Sequence, residues 1–159
     1  MSDTLVLRAA VRTDAAEIAA TIAAAFEQYR GKLIPESGAF GETAEAIASE
    51  LAKGAGAIVA ERNGEMVGCV MIHEMEGDLY FGRLAVLPAA RGTGLARRLI
   101  DAVEAEARRR DLPGIRLGVR VVLTDNQRLF QSLGYREISR EAHLGFDHPT
   151  SINMRKSLV

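Results

Sequence analysis

One segment constrains the fold of this chain more than any other. It reads LAVLPAARGTGLARRL, from Leu84 to Leu99, and it joins an apolar, strand-like run to a helical pattern through a proline and two glycines. Glycine is unfavourable inside a helix but permits unusual backbone dihedrals and a close approach of the main chain to a ligand. Free backbone amides at the start of a helix attract anions. The segment therefore predicts a strand, a turn and a helix, and the turn is either a bare connection or an anion site.

Two common phosphate-binding loops do not match this turn. A P-loop has four residues between its glycines and a lysine directly after the second, whereas Gly92 and Gly94 are separated by one residue and followed by Leu95. A dinucleotide-binding loop needs a third glycine three residues further on, within a parallel βαβ unit. Arg97 stands at that position, and a predicted hairpin precedes the strand. On its own, a Gly-x-Gly favours a simple strand-to-helix turn.

The rest of the chain predicts a mixed α/β (α+β) domain over residues 1–159, with no repeat and no linker and with the element order βααβββαβαββ. Asn63-Gly64 is the strongest hairpin signal, and Gly77-Asp78 predicts a second turn. Asp14, with Glu17 as its partner, is expected to cap the first helix. The predicted strands are TLVLRAAV, AIVAER, EMVGCVMIHEM, LYFGRLAV, IRLGVRVV, YREIS and SINMRKSLV, and the predicted helices are DAAEIAATIAAAF, TAEAIASELAK, the segment 94–110 and NQRLFQSL.

The helix that follows the two glycines has a distinct apolar face. Two acid-before-base pairs, Glu104–Arg108 and Glu106–Arg110, have the spacing of one helical turn, which is typical of a solvated face. The opposite stripe is expected to be buried, and it consists of Leu95, Leu99, Val103 and Ala107.

Composition limits the partners and the kinds of site. With 20 basic and 21 acidic residues the formal net charge is −1, which gives no general basic field for nucleic acid or an anionic membrane. Cys69 is the only cysteine, so an internal disulfide and a multi-cysteine zinc site are excluded, and no metal is expected. The N-terminal residues lack a signal-peptide pattern, and no run of about eighteen apolar residues occurs. A cytoplasmic protein is therefore the expectation.

Two segments together resemble the GNAT-type N-acetyltransferases. In that family's acetyl-CoA signature an apolar strand ends near Val-x-Pro, and Arg/Gln-x-x-Gly-x-Gly/Ala opens a long helix; Arg91, Gly94 and Ala96 match these positions. LTDNQRLFQSLGYREI resembles the later segment in which an asparagine, here Asn126, starts a short helix ending in Leu-Gly-Phe/Tyr. The element order is also the family's, so the resemblance covers nearly all of the chain. It implies the GNAT fold, a mixed, mostly antiparallel central sheet flanked by helices, with the fourth strand splayed from its neighbour.

The resemblance implies acetyl-CoA as the co-substrate and assigns it a set of binding residues. Pantetheine would lie in the opening between the splayed strands, and the pyrophosphate would lie against the glycine turn. Asn126 would cap the short helix, reach the pantetheine arm, or do both. The implied binding residues are the main-chain groups of Leu84, Ala85 and Val86, the turn residues Arg91, Gly92, Thr93, Gly94, Leu95, Ala96 and Arg97, and Asn126 and Phe130 on the short helix.

Acetyl transfer requires a neutral amine, a polarised thioester carbonyl and a stabilised thiolate. Many relatives place a tyrosine near the sulfur as general acid, and the alignment of NQRLF with the family's Asn-x-x-x-Tyr puts Phe130 there. Phenylalanine has no proton to give, so water or another hydroxyl is left as the donor, and Phe130 is expected to pack in the core with Leu129 and Leu133. A positioned acid contributes about 10²–10⁴-fold to a rate, so this departure weakens a plain transfer of the family's mechanism.

The expected general base lies on the strands before the glycine turn. Tyr80 is the first choice and Glu74 the second. By strand alternation Tyr80, Gly82, Leu84 and Val86 share one face. A base, or burial of the amine, is needed because a lysine-like amine, with a pKa of about 10.4, is mostly charged at neutral pH.

Acceptor recognition is expected in the loop FEQYRGKLIPESGAFGE, residues 26–42. Its mixed charges and aromatic residues leave an antibiotic, a polyamine, a peptide N-terminus, a lysine side chain and an amino acid all open. Glu74, Glu76 and Asp78 surround the second predicted turn and are interpreted first as solvated charges. If they line the acceptor site, they favour a cationic amine.

The leading hypothesis is an N-acetyltransferase that moves an acetyl group directly from acetyl-CoA to a primary amine of a small molecule or peptide. The alternative, kept open by Phe130, is a non-catalytic acetyl-CoA-binding sensor or partner module. A third hypothesis is an acyltransferase of the same fold that uses a longer acyl group or a hydroxyl acceptor. Nucleic-acid and membrane partners are not expected. A homodimer is compatible with the sequence, although no unpaired apolar stripe requires one.

Overall fold

The computed structural model describes residues 4–159. Its seven strands form one sheet in the order β1-β2-β3-β4-β5-β7-β6, antiparallel throughout except for the parallel pair β4–β5. The predicted class and element order are confirmed. The elements are β1 (Leu5–Ala9), α1 (Ala15–Phe26), α2 (Ala44–Ala52), β2 (Gly56–Arg62), β3 (Glu65–Met75), β4 (Asp78–Val86), α3 (Leu95–Arg109), β5 (Gly114–Arg120), α4 (Thr124–Ser132), β6 (Arg136–Glu141) and β7 (Ser151–Ser157).

Helices cover both faces of the sheet and bury two apolar clusters. On one face α1 and α2 place Ile18, Ile22 and Ile47 against residues of β2, β3 and β4. On the other face α3 is the main cover, and α4 contributes Phe130. The expected inner stripe of α3 is confirmed, since each of its members is at most 2 % exposed: Leu95, Leu99, Val103 and Ala107.

The two hairpins that lead to β4 have two-residue turns. Asn63 and Gly64 have φ values of 55° and 80°, as the predicted type I′ turn requires. The second turn is formed by Glu76 and Gly77, with φ values of 52° and 83°, one residue earlier than predicted. Asp78 instead begins β4 and is buried, because its carboxylate is held by arginines from neighbouring strands.

A bulge in β4 changes which side chains face which helix. Met71 of β3 pairs with Gly82 and Cys69 pairs with Ala85, so Arg83 and Leu84 together oppose one residue of β3. Arg83 has a φ of 51°, which is uncommon for a side-chain-bearing residue and typical of a bulge. The inserted residue shifts the alternation by one, so Leu84 packs in the cluster under α3.

The prediction that Tyr80, Leu84 and Val86 share one face was therefore wrong. Tyr80 lies opposite His73 on β3, on the α1 side of the sheet, where Met71 is buried. Leu84 and Val86 belong to the α3 side with Phe81. Neither Arg83 nor Leu84 marks a bulge by its residue type, but Gly82 directly before them is an isolated glycine inside a strand pattern, which is a bulge signal.

Two local predictions about charged residues were also wrong. Asp14 has helical dihedrals and makes no cap; its carboxylate accepts from the Val11 amide at 2.7 Å and from Arg8, which stabilises the turn before α1. Glu104 is only 6 % exposed and accepts from Lys156 at 3.0 Å, instead of pairing with Arg108 on the surface. In both cases a partner distant in space replaced the local one. The predicted Glu106–Arg110 pair is present at 2.6 Å.

Candidate active site

The parallel pair β4–β5 is joined only near its start. Leu79 pairs with Ile115 and Tyr80 with Arg116, and beyond those two positions no further pairing occurs between the strands. This is the splay that the resemblance implied. A cleft of about 680 Å³ lies in the opening, lined by residues of β4, β5, α3 and α4 and by the segment between α1 and α2. We call the region around Arg91 and Ala96, at the start of α3, the α3 end. We call the region around Pro35, Arg83, Arg120 and His143 the loop end.

The α3 end presents a helix N-terminus to open space. Gly92 and Gly94 have φ values of 77° and 79°, and a Cβ at either position would meet nothing within 4 Å. Glycine is therefore required here by the backbone alone, and the simple-turn interpretation holds. Gly94 is the N-cap of α3, and no side chain of the described residues caps the helix there. The first amides of α3 have no helical acceptor, so the turn also has the geometry of an anion site.

The predicted pyrophosphate residues meet at this end, although not all of them face it. A shallow pocket of about 410 Å³ adjoins the cleft, and Arg91 and Ala96 line both. Arg91 also donates to the Ala25 carbonyl at 2.9 Å, which links the turn to the last residues of α1. Thr93 is held by its own turn, because its hydroxyl donates to the Ala90 carbonyl at 2.5 Å. The residues that line the shallow pocket are Val86, Ala90, Arg91, Gly92, Gly94, Leu95, Ala96, Arg97 and Leu129.

The three predicted main-chain positions on β4 do not point the same way. Leu84 and Val86 line the cleft. Ala85 is fully buried on the other face, and its carbonyl lies towards Gly68 of β3. Successive residues of a strand direct their hydrogen-bonding groups to opposite sides. Leu84 and Val86 are therefore the positions whose main-chain groups are available on the β5 side.

The short helix α4 brings Asn126 and Phe130 into the cleft, one turn apart. Asn126 is the third residue of α4 and not its cap, because the helix begins at Thr124; its side-chain amide donates to the Tyr29 hydroxyl at 3.3 Å. Phe130 is 7 % exposed, with its ring 6.0 Å from that of Phe81. The expected packing role of Phe130 is confirmed, and its ring also forms part of the cleft wall.

The two predicted bases are placed differently. Tyr80 lines the cleft, where burial raises the pKa of its phenol above the ordinary value. A phenol with such a pKa stays protonated at neutral pH, so Tyr80 is suited to donate a hydrogen bond and not to act as a base. Glu74 does not line the cleft; its half-exposed carboxylate lies 3.9 Å from Arg110 and lines an adjoining pocket of about 570 Å³, which shares Tyr80, Gly82 and Arg83 with the cleft.

The loop end of the cleft is rich in basic side chains that the sequence did not single out. Arg83, the bulge residue, pairs with Glu42 at 3.2 Å. Arg120, the last residue of β5, donates to the Pro35 carbonyl at 2.7 Å and to the Glu36 carbonyl at 3.3 Å. Burial and the charge of Arg83 lower the pKa of Arg120. The interpretation of the carboxylates around the second turn as solvated charges is confirmed for the exposed Glu74 and Glu76 and wrong for the buried Asp78, and none of the three lines this cleft.

His143, between β6 and β7, is a further side chain of the loop end that the sequence did not single out. Its Nδ1 hydrogen-bonds with the Thr150 hydroxyl, which fixes the orientation of the ring. Burial and the charge of Arg120 lower the pKa of His143, and Glu141 opposes this only in part. The imidazole is therefore neutral at pH 7 and can accept a proton.

Comparison with known proteins identifies the family. The Acetyltransferase (GNAT) family matches residues 20–135. The chain belongs to the GNAT acetyltransferase family. An IAA acetyltransferase from Azospirillum brasilense is 33 % identical to this GNAT protein over 103 residues, which are 64 % of this chain and 67 % of the relative. The family resemblance seen in the sequence is confirmed, and membership indicates acyltransferase activity.

Solved structures share the fold over almost the whole GNAT chain. The PaiA N-acetyltransferase from Thermoplasma acidophilum, in complex with coenzyme A, has a TM-score of 0.83 at 13 % identity and covers 97 % of this chain and 99 % of its own. The ribosomal-protein-S18-alanine N-acetyltransferase from Escherichia coli has a TM-score of 0.74 at 21 % identity, with 98 % and 94 % covered. At these identities the likeness establishes the fold alone.

None of the described helices is long and apolar enough to cross a membrane. The described residues also contain no cluster of three or more His, Cys, Asp or Glu side chains that could hold a metal ion.

Proposed function

We propose that this GNAT protein transfers an acetyl group from acetyl-CoA directly to a primary amine. The observation that carries the proposal is the continuity of the cleft between β4 and β5. Residues of the α3 end, such as Ala96, line the same space as His143 and Arg120 of the loop end. Acetyl-CoA held by its pyrophosphate at the α3 end would therefore bring its acetyl group, between the splayed strands, to an amine held at the loop end.

At the α3 end the residues fit a pyrophosphate. The first amides of α3 have no helical acceptor, and a Cβ at Gly92 or Gly94 would meet nothing within 4 Å, which leaves open space for a ligand. Arg97 lines the shallow pocket and would add a positive charge. The main-chain groups of Leu84 and Val86 would bond the pantetheine arm, and acetyl-CoA would supply the activated acetyl group as a thioester.

At the loop end we assign proton acceptance to His143. Its imidazole is neutral at pH 7, and its orientation is fixed by Thr150. Nε2 would take the proton that the amine loses when its nitrogen forms the new bond. Tyr80, a protonated phenol in the same cleft, would donate a hydrogen bond instead of accepting a proton.

For the leaving thiolate we assign the donor role to Tyr29. Phe130 stands where many relatives carry a hydroxyl, and it cannot donate. The Tyr29 hydroxyl lies 3.3 Å from the Asn126 amide, on the face of α4 that Phe130 shares one turn later. Tyr29, in the segment after α1, therefore places a hydroxyl in the region where α4 presents Phe130 and no hydroxyl.

The names of the relatives do not select the acceptor. The Azospirillum brasilense relative is named an IAA acetyltransferase and the Escherichia coli structure a ribosomal-protein-S18-alanine N-acetyltransferase. These names describe different acceptors, so the acceptor of this chain has to be argued from its own side chains.

The proposal is tested by calorimetric titration with acetyl-CoA, followed by thiol release against a panel of primary amines. Saturable binding together with turnover of an amine supports the proposal. Direct transfer is supported if the steady-state kinetics require acetyl-CoA and the amine to be bound in one ternary complex. Binding without turnover of any amine would favour the alternative, a non-catalytic acetyl-CoA-binding module. A lack of acetyl-CoA binding would overturn the pyrophosphate assignment of the glycine turn, and with it both the acetyltransferase and the binding-module hypotheses.

A matched pair of variants isolates the charge at the turn. Gly94→Glu and Gly94→Gln introduce side chains of the same size at a φ of 79°, so both carry the same backbone strain. Only the glutamate places a negative charge beside the predicted pyrophosphate. We expect acetyl-CoA affinity about 10-fold lower for Gly94→Glu than for Gly94→Gln, measured at low salt. Equal affinities would contradict the pyrophosphate assignment.

A further inference from the structure

The loop end of the cleft contains an arginine without a carboxylate partner. Several arginines of the described chain pair with an acidic side chain, as Arg83 does with Glu42. Arg120 makes no such ion pair among the described residues; its two terminal nitrogens donate to the main-chain carbonyls of Pro35 and Glu36. These bonds orient the guanidinium but do not neutralise it.

A second guanidinium increases the positive potential at this position. Arg83 packs against the same loop as Arg120, with its Nη2 only 2.8 Å from where a Cβ of Gly38 would stand. The charge of Arg83 is one of the causes that lower the pKa of Arg120. Two like charges held close together, only one of them paired, would be relieved by an anion from outside.

The nearby acidic groups are already engaged elsewhere. Among the described residues, Glu36 is the only acidic one that lines the cleft, and its carboxylate accepts from the Gly31 amide at 3.1 Å. The Glu141 carboxylate accepts from Asn153 at 2.9 Å. Neither carboxylate forms an ion pair with Arg120, so the guanidinium is left to bind an acceptor that brings its own carboxylate, and this favours such an acceptor over a polyamine or a lysine side chain within a basic peptide.

We infer that the acceptor is a small amine with a carboxylate close to its amino group, an amino acid or a compound of that type, and that Arg120 binds this carboxylate. The inference rests on the proposed acetyltransferase function and names its substrate class. Arg120 and His143 line the same end of the cleft. In an α-amino acid the nitrogen is two bonds from the carboxylate carbon, so a carboxylate held by Arg120 would leave the amino group in the space that His143, which we assign as the proton acceptor, also lines.

The test compares amino acids with their carboxamides. Each pair keeps the side chain and the amino group and differs in the carboxylate, and a panel of amino acids avoids dependence on one side chain. Amide formation also lowers the pKa of the amino group, so rates are compared at a pH where both members are largely neutral. We expect kcat/KM to be about 10- to 100-fold higher for the acids in the unmodified protein, since a hydrogen-bonded charge pair is lost with the amide.

Variants of Arg120 assign this preference to one side chain. Arg120→Gln should reduce the acid-over-amide ratio towards one, mainly through a higher KM for the acids, while the Kd for acetyl-CoA is unchanged. Arg120→Lys should keep part of the ratio. Arg128→Gln, an exposed α4 arginine paired with Asp125 outside the cleft, is the matched control and should keep all of it.

The outcomes separate this inference from the function on which it rests. Turnover of amides as fast as acids by the unmodified protein would overturn the carboxylate inference and leave the acetyltransferase function intact. Acetyl-CoA binding without turnover of any acid, amide or other amine would overturn both. An acid-over-amide ratio that persists in a folded Arg120→Gln variant, with its thermal midpoint measured, would reject Arg120 as the binding residue.

Discussion

The two ends of the β4–β5 pair treat charge in opposite ways. At the closed end, where the strands are still paired, Asp78 is 3 % exposed and is held by Arg155 and Arg116. Its carboxylate accepts from Arg155 Nε and Nη2 at 2.8 and 3.1 Å and from Arg116 Nε at 2.6 Å. At the open end, beyond the last paired residues, Arg120 and His143 line the cleft, and no carboxylate of residues 4–159 pairs with either.

Along this one pair of strands, the closed end stabilises the fold and the open end provides polar groups for a ligand. The closed end joins β4, β5 and β7 through one acidic side chain, so the strands can diverge further on without parting altogether. The open end leaves its polar groups for a ligand. Substitutions at the closed end should therefore lower stability, and substitutions at the open end should lower turnover while the fold persists.

The largest effect is expected for Asp78→Asn. The substitution leaves Arg116 and Arg155 close together without the anion between them. Removal of one partner from a buried ion pair typically costs about 3–5 kcal/mol. Both guanidiniums are partly solvated, at 23 % and 29 % side-chain exposure, so we expect a loss of about 3 kcal/mol in the free energy of unfolding, measured by urea denaturation at pH 7. An unchanged midpoint would mean that the closed end does not depend on this carboxylate.

The pH dependence of this loss has a defined sign. Arg155 and Arg116 hold the pKa of Asp78 below its ordinary value. The contribution of Asp78 is thus fully present above the unfolded-state pKa of about 3.9 and is lost as the pH falls through the lower folded-state pKa. The difference between the original chain and Asp78→Asn should shrink at about pH 3. Glu137→Gln, which breaks an exposed pair with Arg140 on β6, should barely change the midpoint at either pH.

The next largest effect is expected for His143→Gln at the open end. If Nε2 of His143 accepts the proton of the amine, kcat should fall by about 10²-fold or more, while thermal stability and acetyl-CoA affinity change little. His148→Gln, on an exposed histidine of the same segment paired with Asp147, is the matched control and should keep kcat.

A pH profile distinguishes a base from a positioning residue. Burial and Arg120 lower the pKa of His143, and Glu141 raises it in part. The neutral form is therefore present at pH 7, and kcat should fall only as the pH drops below about 6.5, the ordinary value. That limb should be absent in His143→Gln. A limb that survives the substitution would assign proton acceptance to another group or to solvent.

The same contrast explains what could be predicted from the sequence. The α3 end is built from one contiguous segment, and its function depends on backbone conformation, so Gly92, Gly94 and the helix behind them mark it directly. Gly92 and Gly94 are glycines for a reason that residue type reveals, because both adopt a positive φ. The local pattern left a bare turn and an anion site both open, and the resemblance to the GNAT family implied acetyl-CoA as the ligand and the GNAT fold, while the order of the elements predicted the mixed α/β class.

The loop end and the closed end could not be found in that way. Arg120 and the Pro35 carbonyl that it bonds are 85 residues apart, and Asp78 and Arg155 are 77 apart. Arg120 ends a strand and His143 lies in the loop between β6 and β7, and neither position has a local sequence pattern that predicts its place in the cleft. Gly82 inside the strand pattern signals a bulge, but the positive φ at Arg83 depends on the surrounding sheet and could not be predicted from residue type.

The smallest effects are expected within the cleft at the open end, where Tyr29 supplies a hydroxyl and Phe130 has none. If Tyr29 donates the proton to the thiolate, Tyr29→Phe should lower kcat by about 10-fold, towards what water can supply, with acetyl-CoA affinity little changed. Phe130→Tyr should raise kcat slightly in the original chain, because its ring is 7 % exposed and lines the cleft near Asn126, so an added hydroxyl can reach the opening.

The double variant decides between donation and packing. In Tyr29→Phe/Phe130→Tyr the hydroxyl moves from the segment after α1 to α4, and kcat should recover most of what Tyr29→Phe loses. Rescue would show that the opening needs one hydroxyl from either side, since packing around Phe81 cannot restore a lost proton donor. If Tyr29→Phe keeps full kcat, the donor is water or the thiolate leaves unprotonated, which is chemically feasible for a thiol with a pKa of about 8.5. The open end would then depend on His143 and Arg120 alone, and the contrast with the closed end would rest on those two residues.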